Sequence, residues 1–342
     1  MKGAIDTLSE GFGVVAKRFW IIVVPVILDL FLWRGPRISL MPLIERWLQW
    51  MNQTMAQPNS ELWQNVQQLW QQGGVMDFWR EFGQRFNVFS VMPSFNILSF
   101  LSLGMLDLPS IATTEAIAGT SQAAPVPAAE INSLLALALA LLGLLVVGLV
   151  ITVIFQGLIA QEVREENINL RYLLRRLGPY SWSLFKVAVS LALALVIIGW
   201  PLAILFFVIS ALSPLLMQLM MLLSMVVVIW FAIYLSLIPQ GILLGEERPL
   251  MALWTSANLV HRNFGSLLLL LILVRLIRSG FALIWPILAH TTAGTIVAII
   301  GNAFLSAGLA AASFVFYRDR FAIWREQLAQ SMLAASQQPQ PK

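Results

Sequence analysis

Two arginines of this chain stand inside an apolar run, where charged side chains are rare. Arg275 and Arg278 are three residues apart, so a helix places them on one face, within an apolar run from about 267 to 288. Asp29 lies at a comparable depth in an earlier apolar run, and Asn302 in a later one. Guanidinium groups bind carboxylates and phosphates through charge-assisted hydrogen bonds. These residues therefore predict ion pairing or anion binding in apolar surroundings.

Three interpretations of this polar cluster stay open. An arginine at the centre of a membrane helix opposes membrane insertion by about 2.5 to 3.5 kcal/mol, whereas each Leu, Ile, Val or Phe favours insertion by about 0.3 to 0.6 kcal/mol. The free energy of inserting the run around Arg275 into a membrane is then close to zero, so this run needs a partner. Asp29 provides one if an ion pair fixes the first apolar run against the fifth. The alternatives are a site for an anion, lipid headgroup or substrate, and extension of the arginines towards the headgroups.

The composition indicates a membrane protein. Of the 342 residues, 59% are hydrophobic and 11% are charged, against about 25% charged residues in soluble proteins. The chain has no cysteine, which excludes disulfides, cysteine-bound metals and thiol catalysis. The net charge is +4, but the basic residues cluster beside apolar runs, so we expect no nucleic-acid partner.

Sequence motifs for catalysis are missing. The chain contains no His-Glu-x-x-His, no Gly-x-Ser-x-Gly and no phosphate-binding loop of the Gly-x-x-x-x-Gly-Lys type. Its two histidines, His261 and His290, are too far apart in the predicted topology to share a metal. The sequence therefore predicts a protein without a cofactor, a metal or an enzymatic activity.

Six apolar runs predict an all-α, polytopic membrane protein. A membrane helix needs about 20 apolar residues, and the first run is short unless flanking residues extend it. The runs are at about 19–33, 134–160, 184–212, 215–244, 267–288 and 293–317.

The distribution of Lys and Arg predicts the orientation. Basic residues flank the N-terminal run, fill the 161–186 connection and recur in the 318–342 segment, whereas the turns near Ser213 and Thr291 have none. Because cytoplasmic loops carry an excess of positive charge, this predicts a cell (inner) membrane protein with both termini cytoplasmic.

Near-copies within the chain predict three parallel hairpin repeats. Gln156-Gly157 and Gln240-Gly241 each end an apolar run, and a glutamate, Glu162 or Glu246, follows each glycine by five residues. Trp-Pro pairs at 200–201 and 285–286 are predicted to mark the outer ends of two spans, and basic residues followed by Gly178 and Gly265 their inner starts. The repeats cover 1–166, 167–249 and 250–330, with a disordered tail at 331–342, and all form one membrane unit.

The first repeat contains a large outer insertion at 34–132. Apolar residues at helical spacing predict three short amphipathic helices there, rich in aromatic side chains that suit the headgroup region. These helices lie on the membrane or pack as a small outer domain, and the sequence favours neither. The predicted interfacial tryptophans are Trp47, Trp50, Trp63, Trp70 and Trp79.

Two short stretches carry a resemblance to a known family. The chain has an amphipathic segment ending in His261-Arg262-Asn263-Phe264-Gly265, and the aromatic-basic ending Phe316-Tyr317-Arg318. Over about 160–325 it resembles the bacterial membrane family of YciC-like proteins and of the membrane domain found beside glycerophosphodiester phosphodiesterases. The phosphodiesterase catalytic domain is missing and the outer insertion departs from the pattern. The resemblance implies an integral accessory element.

Together these patterns predict a noncatalytic membrane protein with a structural, accessory or membrane-organising role. Its expected partners are membrane lipids and partner membrane subunits or a second copy of the chain. The alternative is a transporter or channel for an anionic or amphiphilic solute that uses Arg275 and Arg278.

Overall fold

The computed structural model describes residues 3–55, 75–94, 110, 129–165 and 168–337. Most of this part of the chain is helical, with two short strands, which confirms the all-α prediction. The predicted outer helix around Trp63 and Trp70, the segment at 95–109 and the end of the chain after Gln337 lie outside the described residues.

The first predicted span does not form one long helix. Helix α1 (Ala4–Lys17) ends at Arg18, a 3-10 turn covers Phe19–Ile22, and helix α2 is Val23–Arg34. Pro25 stands in the first turn of α2, where its missing N–H is tolerated, and it prevents a continuous helix from Phe19. With 12 residues, α2 is about 18 Å long at 1.5 Å per residue, shorter than a hydrocarbon core of about 30 Å. A sixth membrane-spanning helix is therefore not confirmed.

The described parts of the outer insertion form short elements. Strands β1 and β2 pair in parallel, Ile38 with Ala129 and Ser39 with Glu130, and bring the two ends of the insertion together. The elements are β1 (Ile38–Ser39), α3 (Met41–Met55), α4 (Val75–Arg85), a 3-10 turn (Val88–Ser90), α5 (Val91–Ser94) and β2 (Ala129–Glu130).

Seven further helices follow in the described part of the chain, and they contain five stretches long and apolar enough to cross a membrane. Those stretches lie in α6, in α7, across α8 and α9, in α11 and in α12, at five of the six runs predicted from the sequence. The helices are α6 (Leu134–Glu165), α7 (Leu170–Leu212), α8 (Pro214–Leu235), α9 (Ile238–Leu243), α10 (Pro249–Arg262), α11 (Phe264–Leu288) and α12 (Thr292–Gln337).

Helix α12 is the centre of the bundle. In the most apolar stretch of α12, 72% of the residues are buried within the chain, whereas none is buried (0%) in the most apolar stretch of α7. Helix α1 lies along α12, where Gly11 is packed against the backbone of Ala312 and Gly308 against the ring of Phe12. The small residues of α12 thus allow close packing within this chain. The helix continues to Gln337, so the predicted disordered tail from 331 is helical to that point.

The predicted repeat boundaries differ between the second and third hairpins. Helix α7 is continuous through Gly178 and Pro201 and turns only at Ser213, whereas a break at Asn263 precedes Gly265, and α11 ends soon after Pro286. The Trp-Pro pair lies near the C-terminal end of α11 but well inside α7. Proline is tolerated inside membrane helices, so Pro201 does not end this one.

Candidate functional site

The structure gives the four predicted polar residues of the spans different surroundings. Asp29 in α2 is completely buried (0% exposed). On α11, Arg275 is exposed on the outside of the bundle and Arg278 is half-buried, and Asn302 on α12 is also half-buried. The two arginines therefore do not share one environment. The ion pair between Asp29 and an arginine stays a prediction.

A second polar cluster lies where α6, α7 and the turn between α9 and α10 meet; we call it the Glu246 network (Arg164, Tyr172, Arg176 and Glu246). Arg164 Nη1 donates to Glu246 Oε1 at 2.6 Å, and the hydroxyl of Tyr172 donates to the same oxygen. Arg176 Nη2 lies 3.3 Å from Glu246 Oε2. Both guanidinium groups also stack over the ring of Tyr172, at 5.7 and 5.6 Å from its centre. This network joins α6 to α7 and to the α9–α10 turn.

The backbone of Glu246 has a conformation that is unusual for a residue other than glycine. Its φ angle is 53°, in the left-handed region that residues other than glycine enter at a cost of about 1 to 3 kcal/mol. Burial acts to raise the pKa of Glu246, but the hydrogen bonds from Tyr172 and Arg164 and the charges of Arg164 and Arg176 outweigh it. The pKa therefore lies below its ordinary value. Glu246 is accordingly ionised at neutral pH.

The next residue, Glu247, points into different surroundings. Thr255 Oγ1 donates to Glu247 Oε1 at 2.9 Å, and a Cβ built on Gly241 would lie 3.0 Å from Glu247 Oε2. Burial raises the pKa of Glu247 and outweighs this hydrogen bond. Two adjacent glutamates thus have pKa values displaced in opposite directions.

The predicted repeat residues make matching contacts. If Gly157 carried a Cβ, that atom would lie 2.5 Å from the side chain of Leu173, the fourth residue of α7. In the same way, a Cβ at Gly241 would lie 3.2 Å from the side chain of Ala252, the fourth residue of α10. In both places the glycine lets the first turn of the next helix pack closely against the end of an apolar run.

Each predicted hairpin also has a polar pair at its base. Arg18 Nε lies 3.4 Å from Glu162 Oε2, an ion pair at a separation too long for strong hydrogen bonding. Arg176 and Glu246 make the corresponding pair in the second hairpin. In the third, Arg262 Nη1 donates to Gln327 Oε1 at 3.0 Å. We call the ends of the three predicted hairpins that carry these pairs the basic end of the molecule.

Arg318 connects this basic end to α1. Its Nη2 donates to Glu10 Oε1 at 2.6 Å and to Asp319 Oδ1 at 2.9 Å, and its Nη1 donates to the carbonyl of Val163 at 3.1 Å. The final helix is thereby fixed against both α1 and α6.

An open cavity of about 440 Å³ lies beside Arg318. Arg164, Arg318 and Arg325 line it together with the aromatic rings of Tyr317 and Phe321. Arg164 and Arg318 are already paired with acids, and Arg325 stacks over Phe321 at 5.7 Å. The cavity is amphipathic, and most of its positive charge is compensated within the protein.

Two of the described outer helices pack on each other. The rings of Trp47 in α3 and Trp79 in α4 meet edge to face with centres 5.4 Å apart, while Trp50 and Phe78 are exposed. Trp63 and Trp70 lie outside the described residues. The insertion therefore combines a packed aromatic contact with exposed aromatic side chains.

Sequence reasoning singled out Glu162, Glu246 and the basic residues of the repeats but not their pairing. The signal that could have found it was the fixed offset of each glutamate from its glycine, read together with the basic residue at the start of each hairpin. Among the described residues, no group of three or more His, Asp or Glu side chains is arranged to hold a metal ion.

Comparison with known proteins gives no family for this chain. No protein-family model, no curated protein and no solved structure matches it. The resemblance to the YciC-like family stays a prediction.

Proposed function

We propose that this protein is a noncatalytic integral membrane component that organises or supports other membrane constituents. The observation that carries the proposal is the α7–α8 hairpin, whose apolar surface is left uncovered by the other described residues. Ile197 in α7 and Leu222 in α8 are 70% and 65% exposed. A helix that is apolar all round must be covered, in this case by lipid or by helices of a partner.

The contrast with the rest of the bundle supports this role. The buried core is formed by α1, α2, α12, the first half of α7 and parts of α6, α9, α10 and α11, and it leaves the second half of α7 and most of α8 uncovered. The protein thus combines a packed body with an apolar hairpin that extends away from it.

Photo-crosslinking in native membranes tests this proposal. A photoreactive amino acid at Ile197 or Leu222 should form products with lipid or with membrane proteins. The same group at Ala307, which is completely buried in α12, is the control and should give none. Products from Ala307 alone, or from no position, would contradict the proposal.

We further propose six membrane helices arranged as three parallel hairpins, with both termini cytoplasmic. The matching contacts of Gly157 and Gly241 and the polar pairs of the three hairpins support the repeat. Under this topology the first hairpin leaves the basic end through the 3-10 turn and α2. Reporter fusions at Thr120, at Ser181 and after Lys342 should place Thr120 alone outside.

The exposed aromatic side chains of the outer insertion support a contact with the headgroup region. Trp50 and Phe78 are 58% and 59% exposed on two packed amphipathic helices. Aromatic rings in such positions bind at the boundary between headgroups and acyl chains.

The second candidate is a transporter or channel for an anionic or amphiphilic solute. The open cavity with three arginines at the basic end favours it, whereas the outward position of Arg275 does not. Purified protein in sealed vesicles should leave a fluorescent organic anion trapped if the first proposal holds. Release that depends on the protein would favour transport.

A further inference from the structure

Arg275 occupies an unusual place for a charged residue. It lies near the midpoint of the 25-residue helix α11, roughly 16 to 20 Å from the two helix ends at 1.5 Å per residue. It is exposed, and its neighbours Ile272 and Leu276 are 54% and 67% exposed. Its surroundings are therefore the apolar outer surface of the bundle at mid-membrane.

Within the part of the chain that the structure describes, no acidic side chain pairs with Arg275. Arg278, less than one turn away, is half-buried and turned further towards the bundle. Arginines near helix ends extend to the headgroups, but Arg275 is far from both ends. A guanidinium at this depth is stabilised by a carboxylate at the same depth.

The surface beside Arg275 has room for a neighbouring helix. Ser279 and Gly280 follow it on the exposed side of α11, and a Cβ built on Gly280 would meet no atom within 4 Å. Gly280 is thus not needed for packing within the part of the chain that the structure describes. Small residues at such a surface let the backbone of another membrane helix approach closely.

We propose that the exposed face of α11 around Arg275, Ser279 and Gly280 docks a transmembrane helix of another protein that carries an Asp or Glu at mid-depth. This inference rests on the proposed function and names the chemistry of the partner. A second copy of this chain fits less well, because a two-fold contact through this face would bring two Arg275 side chains together. Asp29, the acid at a comparable depth, is completely buried.

A designed probe tests this directly. The probe is a polyleucine transmembrane helix with one aspartate at its centre, and the reference probe has leucine there. Because the chain lacks cysteine, His290→Cys at the outer turn gives a single site for a fluorophore. Energy transfer in phosphatidylcholine vesicles then measures association with the full-length protein.

We expect the aspartate probe to bind about tenfold more tightly than the reference probe. Arg275→Leu should abolish this preference, and Arg275→Lys should retain part of it. Arg325→Leu, which removes the same charge at the basic end, is the matched control and should leave the preference intact. Moving the aspartate two turns along the probe should also abolish it, which tests the inference without changing the protein.

Equal binding of the two probes, or a preference that survives Arg275→Leu, would overturn the inference. Loss of the preference when phosphatidylglycerol is added would do so as well, by showing that an anionic lipid headgroup takes the place of the partner's carboxylate at Arg275. Self-association of the labelled protein that depends on Arg275 would assign the face to a second copy instead. The vesicle release assay tests the proposed function separately, because it does not depend on probe binding.

Discussion

Arg18 at the end of α1 lies 3.4 Å from Glu162 near the end of α6, and this pair lies at the base of the first predicted hairpin, at the basic end of the molecule. Arg176 and Glu246, at 3.3 Å, hold the corresponding positions in the second hairpin. Both glutamates follow a buried Gln-Gly pair by the same number of residues. The recurrence of one contact at two matching places supports a chain built from repeated hairpins.

The first prediction concerns the ion pair of Arg18 and Glu162. The side chain of Glu162 is 3% exposed, so Arg18→Ala leaves a buried carboxylate without its ion pair and should lower the free energy of unfolding by about 1 to 3 kcal/mol. Adding Glu162→Gln should recover part of that loss. Thermal unfolding in mild detergent measures both effects.

The control is Arg80→Ala. Arg80 and Asp77 form an exposed pair at 3.8 Å, and such pairs contribute little, so this variant should change stability by less than about 0.5 kcal/mol. If Arg18→Ala proves as mild as the control, the contact does not hold the first hairpin together.

A second prediction uses the adjacent glutamates of the α9–α10 turn. The pKa of Glu246 lies below the ordinary value of 4.5, so its contribution to stability is present above pH 4.5 and is lost as the pH falls through the folded-state pKa. The pKa of Glu247 is raised, so stability falls as the pH rises from 4.5 to the folded-state pKa.

The same substitution should therefore act in opposite directions at pH 7. Glu246→Gln should lower the unfolding temperature, whereas Glu247→Gln should maintain or raise it, because the amide oxygen can still accept from Thr255. Thermal unfolding between pH 4 and pH 8 separates the two. A decrease of similar size in both variants would contradict the assignment.

The third prediction tests the close contact of α1 with α12. A Cβ on Gly11 would lie 2.5 Å from the backbone nitrogen of Ala312, which cannot move without shifting a helix. Gly11→Ala should cost about 1 to 3 kcal/mol by overpacking and make the N-terminus more sensitive to protease.

Gly13 in the same helix provides the control. A Cβ there would meet no atom within 4 Å, so Gly13→Ala should be neutral or should stabilise the helix by about 0.5 to 1 kcal/mol. Equal protease sensitivity of the two variants would show that α1 does not pack as described.

A fourth prediction addresses the predicted ion pair between Asp29 and an arginine of α11. Asp29 is completely buried, and removing one member of a buried pair costs about 3 to 5 kcal/mol, so Asp29→Ala should strongly reduce stability in detergent. Arg278 is half-buried and Arg275 is exposed. Adding Arg278→Ala should therefore recover part of the loss, and adding Arg275→Ala should not. Recovery with neither would mean that Asp29 meets neither arginine.

The apolar runs predicted most of the helices correctly because length and hydropathy are local properties. The runs at 134–160 and 267–288 correspond to α6 and α11 within a few residues. The first run was less predictable, because a proline inside an apolar run can either lie within a continuous helix or, as Pro25 does, stand in the first turn of a new one.

The polar contacts were harder to foresee because they join distant parts of the chain. Glu246 binds Arg164 and Tyr172, which are 82 and 74 residues away. The spacing of Arg275 and Arg278 correctly put them on neighbouring positions of one helix. It could not show that one is exposed and the other half-buried, because that depends on where the remaining helices pack.

The central claim is that the uncovered α7–α8 hairpin lies in lipid or against a partner and does not line a water path. Spin labels on single cysteines at Ile197 and Leu222, in the reconstituted protein, report this through collisions with oxygen and with a water-soluble nickel chelate. The account predicts frequent oxygen collisions and few nickel collisions at both positions. Frequent nickel collisions at either position would contradict it and indicate a water-filled path along the hairpin.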